Sequence, residues 1–211
     1  MNWQMPFPIK RVFFKSYIFN VWQDVYEPAE DSFLFAENLT IKEGDSVLDV
    51  GTGCGILGIT AANKASKVVA IDINPLAVRC AKENAKLNGV AHKMFFIQGD
   101  LFAPLKKGEK FDLILFNAPY LPTEPFEGKT FVERAWAGGI SGRAVINRFL
   151  ERVRDYVKLD GRVLLMQSTL ADMDETMRIL EVKGFKAKII ASLALPLFET
   201  IILIEARASL L

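Results

Sequence analysis

From residue 46 onward the chain alternates between short apolar runs rich in β-branched residues and longer stretches whose apolar positions recur at helical spacing. Such alternation predicts a parallel sheet joined by crossover helices. Strands are expected at Ser46–Gly51, Lys67–Ile73, Met94–Gly99, Phe111–Asn117, Arg162–Ser168, Lys186–Ala194 and Glu199–Ala206. The first, second and fourth are nearly continuous apolar runs, as expected of strands covered on both faces. Between the second and third lies the best-defined helix. Asn74 is placed to cap it, Pro75 suits its first turn, Leu76, Cys80, Ala81 and Leu87 form an apolar stripe, and Gly89 ends it. Further helices fit Ile56–Asn63, Ala144–Val157 and Ala171–Lys183, with Gly161 and Gly184 closing the last two segments. Only Leu195–Phe198 separates the final two strands, too few residues for a crossover, so these strands must pair as an antiparallel hairpin at the sheet edge. The pattern predicts an α/β, Rossmann-like fold, its seven-stranded sheet mostly parallel with a C-terminal antiparallel hairpin.

The first residues, MNWQMPFPIKRVFFKSYIFNVWQ, follow a different pattern, apolar and aromatic but interrupted by Lys10, Arg11 and Lys15. No uninterrupted run of the ~20 apolar residues needed to span a bilayer occurs, nor the apolar core of a signal peptide. We therefore divide the chain into an extension over 1–24, packing as a strand pair or helix on the main domain or on a partner, and a main domain over 25–211. The expected compartment is the cytoplasm, without membrane association. Composition changes this picture little: 211 residues, 51% hydrophobic, with a formal net charge of +1. That balance lacks the basic excess of a protein held on nucleic acid mainly by phosphate contacts. Cys54 and Cys80 form neither a disulfide framework nor a metal-ligand spacing and read as free thiols. His92, the single histidine, reads as a surface residue in a helix-to-strand loop.

Candidate chemistry collects at the predicted strand ends. Val47-Leu-Asp-Val-Gly-Thr-Gly-Cys-Gly55 is a strand entering a glycine turn that opens a helix. Gly51, Gly53 and Gly55 let the backbone pass close to a ligand lying across the strand ends. A dinucleotide fingerprint fails here, because Ile56 stands where its third glycine belongs. Asp49 ends the first strand. Asp72 ends the second, where a carboxylate can take both hydroxyls of a ribose, and Asp100 ends the third, within reach of an adenine amino group. Each aspartate alone could simply cap a helix. Together, in this order, they fit an adenosine carrying an amino-acid tail, as in S-adenosylmethionine, and they fit a pyrophosphate poorly.

The fourth strand ends in Phe116-Asn-Ala-Pro-Tyr120. A nitrogen conjugated to a carbonyl or an aromatic ring is a poor nucleophile, because its lone pair is delocalised. A site that accepts both of its N–H bonds, one at the Asn117 side-chain oxygen and one at a backbone carbonyl, aims the lone pair at a sulfonium methyl. Tyr120 can stack on the flat target group. No general base is required before transfer.

The glycine-rich first motif, Asp72-Ile-Asn-Pro75 and Asn117-x-Pro-Tyr120 together resemble the HemK-type protein-(glutamine-N5) methyltransferases, which modify the glutamine of the Gly-Gly-Gln loop in release factors. Two flanking stretches, Val25-Tyr-Glu-Pro-Ala-Glu-Asp-Ser32 and Ala135-Trp-Ala-Gly-Gly-Ile-Ser-Gly-Arg143, are similar to signatures of the short eukaryotic and archaeal branch. The resemblance implies a class I methyltransferase using S-adenosylmethionine, with Ser32, Asp49, Gly51, Gly53, Asp72, Asp100, Leu101 and Asn117 at the cofactor. It implies further that Asn117 and the Ala118 carbonyl hold the substrate amide, that Pro119 completes the motif and that Tyr120 forms the wall. A release factor is the implied substrate and a small zinc-ribbon activator the implied partner. One departure stands out: the family usually has Asn-Pro-Pro-Tyr, and Ala118 replaces the first proline, keeping the carbonyl while losing a fixed φ.

Adenine-N6 or guanine-N2 methylation of RNA or DNA shares the same nitrogen electronics and is the rival activity. Lys10, Arg11, Lys15, Arg148, Arg152 and Arg154 are the residues that a basic patch would use. From another class, a non-catalytic subunit could keep the fold, but such a subunit tends to lose the acids and the Asn that this chain retains.

Overall fold

In the computed structural model, residues 10–124, 127–196 and 199–209 are described. The expected N-terminal segment is thus described from Lys10 onward, and Leu197 and Phe198 of the final hairpin loop lie outside the described residues. Lys10–Phe14 (β1) and Tyr17–Val21 (β2) pair antiparallel, and Glu30–Glu37 forms α1. There follow Ser46–Val50 (β3), Ile56–Ala61 (α2), Lys67–Asp72 (β4), Pro75–Leu87 (α3), Met94–Gln98 (β5) and Phe111–Asn117 (β6). The remainder is Phe131–Arg134 (α4), Ala144–Tyr156 (α5), Val157–Ser168 (β7), Met173–Val182 (α6), Phe185–Ala194 (β8) and Thr200–Ala208 (β9).

Strands β3 to β9 form one sheet in the order β5-β4-β3-β6-β7-β9-β8. The first five in that order are parallel, and β9 pairs antiparallel with both β7 and β8. The α/β class, the strand count and the terminal hairpin are as the pattern predicts. The chain winds from β3 outward through β4 to β5, then returns to β6 on the other side. The crevice at the β3–β6 switch, outside the carboxyl ends of the strands, is where open sheets of this kind bind ligands. The continuous apolar runs are buried as expected: Val47, Leu48, Val68, Leu113, Ile114 and Leu115 are fully buried.

Two boundaries differ from expectation for physical reasons. Gly161 does not close α5, because the chain passes directly from Tyr156 into β7. The register against β6 shifts between Phe111 and Leu113, Asp160 has φ 61°, and a Cβ on Gly161 would lie 2.8 Å from Val157 Cγ2 and 2.9 Å from the Lys158 carbonyl oxygen. Glycine is needed there for a strand irregularity rather than a helix stop. At the other boundary, α6 begins at Met173 because Asp172, at φ 49°, caps it by accepting from Glu175 N at 3.1 Å.

Helix α1 escaped the pattern altogether. Its buried positions are Asp31, Ser32, Phe35 and Ala36, so half of its inward face is polar and no apolar stripe marks it. The β1–β2 hairpin is fastened to α3 by amides. Asn84 Nδ2 donates to Asn20 O and to Cys54 O, both at 2.9 Å, and its Oδ1 accepts from Asn20 N at 2.9 Å. Asn88 Nδ2 donates to Ile18 O and its Oδ1 accepts from Ile18 N. Asn74, besides capping α3 through Leu76 N, donates to Asp24 O at 2.6 Å. The segment from Val25 to Ser32 therefore leaves a fixed point beside the cofactor-type turn. Both cysteines are free and buried, and burial pushes the Cys80 thiol up to about 12. His92 is exposed in a one-turn helix between α3 and β5.

Candidate active site

A cavity of about 330 Å³ opens at the β3–β6 switch, within the size range of small-molecule sites. Of the residues predicted to serve the site, Ser32, Gly51, Gly53, Asp72, Asp100, Leu101, Asn117 and Pro119 line it. Asp49, Ala118 and Tyr120 stand behind the lining.

The glycine turn is one wall. Gly51, Gly53 and Gly55 have φ of 66°, 56° and 94°, and a Cβ on Gly55 would lie 2.9 Å from Ile59 Cδ1 and 3.3 Å from the Ala81 backbone. Conformation and packing thus both demand glycine at the point where α2 begins. Asp49 lies beneath this turn. Its Oδ2 accepts from the Thr52 hydroxyl at 2.6 Å and from Gly58 N at 3.0 Å, so it ties the turn to α2 instead of facing the cavity. Burial pushes its carboxyl up to about 7, against the opposing bonds from Thr52 and Gly58. Asp72 faces the cavity with Oδ2 accepting from Gly53 N at 2.9 Å and Oδ1 from Asn74 N at 2.8 Å. Each oxygen keeps a further lone pair for a diol. Asp100 completes the wall, paired with Arg148 of α5, and Leu101 beside it holds φ 49°. That left-handed backbone at a non-glycine costs about 1 kcal/mol or more, a strain found most often at functional sites.

The opposite wall is built on Asn117, at the end of β6. Its Nδ2 donates to Asp31 Oδ2 at 2.9 Å and to Ser32 Oγ at 3.3 Å. Both amide protons are thereby used on α1. Asn117 Oδ1, also buried, has no partner. Tyr120 is buried and its hydroxyl donates to Asp31 Oδ2 at 3.4 Å, while Ala118 N donates to Met166 O at 3.3 Å. The loop after Tyr120 is braced by the Ala135–Arg143 stretch: Leu121 N donates to Trp136 O, Gly138 N to Leu121 O, and Thr123 N to Gly139 O. A Cβ on Gly142 would come within 2.4 Å of the Tyr120 carbonyl oxygen, so the brace can lie this close only with glycine. Arg143 pins the brace to the start of α6 through Ala171 O, Asp172 O and Thr176 Oγ1.

Sequence reasoning missed Asp31, Tyr26, Arg148 and the roof residues Phe131 and Arg134, all of which line or support the cavity. The signal for the first two was present, since both belong to the Val25–Ser32 stretch from which only Ser32 was carried to the site. Of the basic residues considered as a patch, Lys10 pairs with Glu27, Arg148 with Asp100 and Arg152 with Asp155.

A sheet of this order, a glycine turn, acids at successive strand ends and an oriented Asn define a class I methyltransferase. A family model for ribosomal protein L11 methyltransferase (PrmA) matches residues 31–119. The chain is 44% identical over 185 residues to a putative protein N5-glutamine methyltransferase of Methanocaldococcus jannaschii, covering 87% of this chain and 91% of that one. It is 35% identical over 180 residues to the Homo sapiens methyltransferase HEMK2, covering 78% and 81%. Among solved structures, the E. cuniculi Mtq2-Trm112 complex, responsible for methylation of the eRF1 translation termination factor, aligns with a TM-score of 0.69 and 26% identity over 89% of this chain and 100% of that one. The chain belongs to the HemK-type protein N5-glutamine methyltransferases, the family of HEMK2 and Mtq2. Among the described residues, no helix is long and apolar enough to cross a membrane.

Proposed function

We propose that this chain methylates the side-chain nitrogen of a glutamine, that of the Gly-Gly-Gln loop in a class-one translation release factor, with S-adenosylmethionine as cofactor. The observation that carries this reading is the buried Asn117 Oδ1 left without a hydrogen bond. An unsatisfied buried acceptor costs about 1–3 kcal/mol. Among the described residues Asp49 Oδ1, Arg143 Nε and Gln167 Oε1 are also unpartnered, but of the four only Asn117 Oδ1 belongs to a residue lining the cavity, where a ligand can complete it. A primary amide N–H is a donor of the right kind. Asn117 Oδ1 would accept one N–H of the glutamine and the Ala118 carbonyl the other, which presents the nitrogen lone pair toward the cofactor wall. When bound, S-adenosylmethionine supplies an electrophilic sulfonium methyl. Asp72 would hold its ribose hydroxyls, Asp100 and Leu101 its adenine, and Gly51, Gly53 and Ser32 its amino-acid tail, with Asp49 keeping the turn in place from below. Pro119 and Tyr120 fix the loop that carries the Ala118 carbonyl. As the new N–C bond forms, the nitrogen becomes acidic and its proton leaves to water, so no basic side chain is needed at Asn117.

The partner we assign is a small zinc-ribbon activator protein. The relative solved as the Mtq2-Trm112 complex supports this, and so does the open β5 edge, whose Met94–Gln98 run carries no charge and whose Phe95 is 57% exposed. The opposite edge strand, β8, is guarded by Lys186 and Lys188 and by an irregularity between Ile189 and Ala191.

Methyl transfer from labelled cofactor, with and without the partner, to release factor and to total RNA side by side tests the reading. Label in the release factor that vanishes when its Gly-Gly-Gln glutamine is replaced is the expected result. Label confined to RNA would overturn the substrate assignment.

A further inference from the structure

Asp31 is the point on which the transfer wall converges. The residue is only 6% exposed, yet its carboxylate accepts from five donors: Ser32 N at 2.6 Å, Ser32 Oγ at 3.2 Å, Asn117 Nδ2 at 2.9 Å, the Tyr120 hydroxyl at 3.4 Å and the Tyr26 hydroxyl at 3.3 Å. Both phenols are pushed up mainly by burial and secondarily by Asp31 itself, which keeps them protonated as donors. A carboxylate so placed can only accept. It therefore permits one orientation of the Asn117 amide, with nitrogen toward α1 and oxygen away from it. A flipped amide would set Oδ1 against the carboxylate and leave its two N–H groups without these acceptors.

We infer that Asp31 is a positioning residue for methyl transfer, locking the Asn117 amide so that Oδ1 is the group offered to the substrate nitrogen. This rests on the proposed role of Asn117 as the acceptor for the target N–H. Direction matters because a primary amide acceptor that rotates by half a turn becomes a donor, and a donor repels the N–H it should receive. Asp31 touches neither the glycine turn nor Asp72, but it also holds Ser32, assigned to the cofactor's amino-acid tail, so its effect on transfer is read as kcat at saturating cofactor.

The test uses three variants with the activator present: Asp31→Asn, Asn117→Asp and the two combined. Asp31→Asn is isosteric but offers an amide in place of the carboxylate, so both orientations of Asn117 become permissible. Its kcat at saturating cofactor should fall about 10-fold or more. Asn117→Asp should fall further, since two carboxylates then face each other. In the combined variant the introduced amide can donate to the introduced carboxylate, which still offers an oxygen to the substrate, and kcat should rise about 10-fold above Asn117→Asp alone. Asp31→Asn within twofold of wild-type kcat, or a combined variant no better than Asn117→Asp, would overturn the inference. The ratios are read on whichever acceptor wild type methylates, release factor or RNA, so an error in the proposed substrate does not pass for an error here. Should a variant fail to fold, neutron diffraction from wild-type crystals decides. Deuterons on the Asn117 atom facing Asp31 are expected, and a bare oxygen there would refute it.

Discussion

The two walls of the cavity are built in opposite ways. The cofactor wall is local: Asp49, the glycine turn and Asp72 fall within residues 49–74, and their bonds run mainly from backbone amides to carboxylates. The transfer wall is assembled from afar, since Asn117 and Tyr120 meet Asp31 across 86 and 89 residues of chain and their bonds run between side chains. A wall of backbone amides tolerates changes in the distant fold and binds. A wall of converging side chains depends on how α1 docks against β6, and it directs.

Substitutions on the two walls should therefore separate affinity from turnover. Asn117→Ala should give the largest effect, a loss of about 100-fold or more in kcat with S-adenosylmethionine Kd within about twofold, measured by single-turnover transfer and calorimetric titration. Equal turnover would remove Asn117 from the mechanism. Asp72→Ala should do the reverse, weakening cofactor binding about 10-fold or more; an unchanged Kd would undo its assignment to the ribose. Ala118→Pro should matter less. It installs the family's usual residue but deletes the 3.3 Å bond from Ala118 N to Met166 O, so kcat should stay within about threefold and stability within about 1 kcal/mol by denaturant titration.

The smallest effect concerns pH. Asp49 is held at about 7 in the folded chain against its usual 3.8, so its contribution to stability is complete below about pH 4 and is lost as pH rises through about 7. Asp49→Asn keeps an acceptor for Thr52 and Gly58 but cannot ionise. Relative to wild type, the ligand-free variant should therefore gain about 5 °C or more in Tm between pH 5 and pH 8, read by scanning calorimetry. A constant difference across that range would mean that Asp49 is already ionised in the fold.

This division also explains what could be read before the fold was seen. The sheet was legible because buried parallel strands need continuous apolar runs and crossover helices need caps. Asp72 and the glycine turn were legible because a local wall leaves a local motif. Asp49 was legible as a site residue but not as a support beneath the turn, since facing the cavity or facing Thr52 is a matter of one side-chain direction. Asp31 was not legible as the partner of Asn117. Its place on the inward face of α1 is polar, so no periodicity marks that helix, and nothing in two stretches 86 residues apart announces that they touch. Likewise Ala135–Arg143 stood out as a signature, but its work as the brace for the Tyr120 loop appears only in the backbone bonds from Leu121 and Thr123.

The central claim is that Asn117 offers its side-chain oxygen to the nitrogen that is methylated. A crystal structure of the chain with the proposed activator, S-adenosylhomocysteine and a glutamine-bearing release-factor peptide tests this most directly. The account predicts the glutamine side-chain nitrogen about 3 Å from Asn117 Oδ1, with Asn117 Nδ2 still on Asp31. A glutamine nitrogen bound elsewhere in the cavity, with Asn117 Oδ1 still unpartnered, would contradict it.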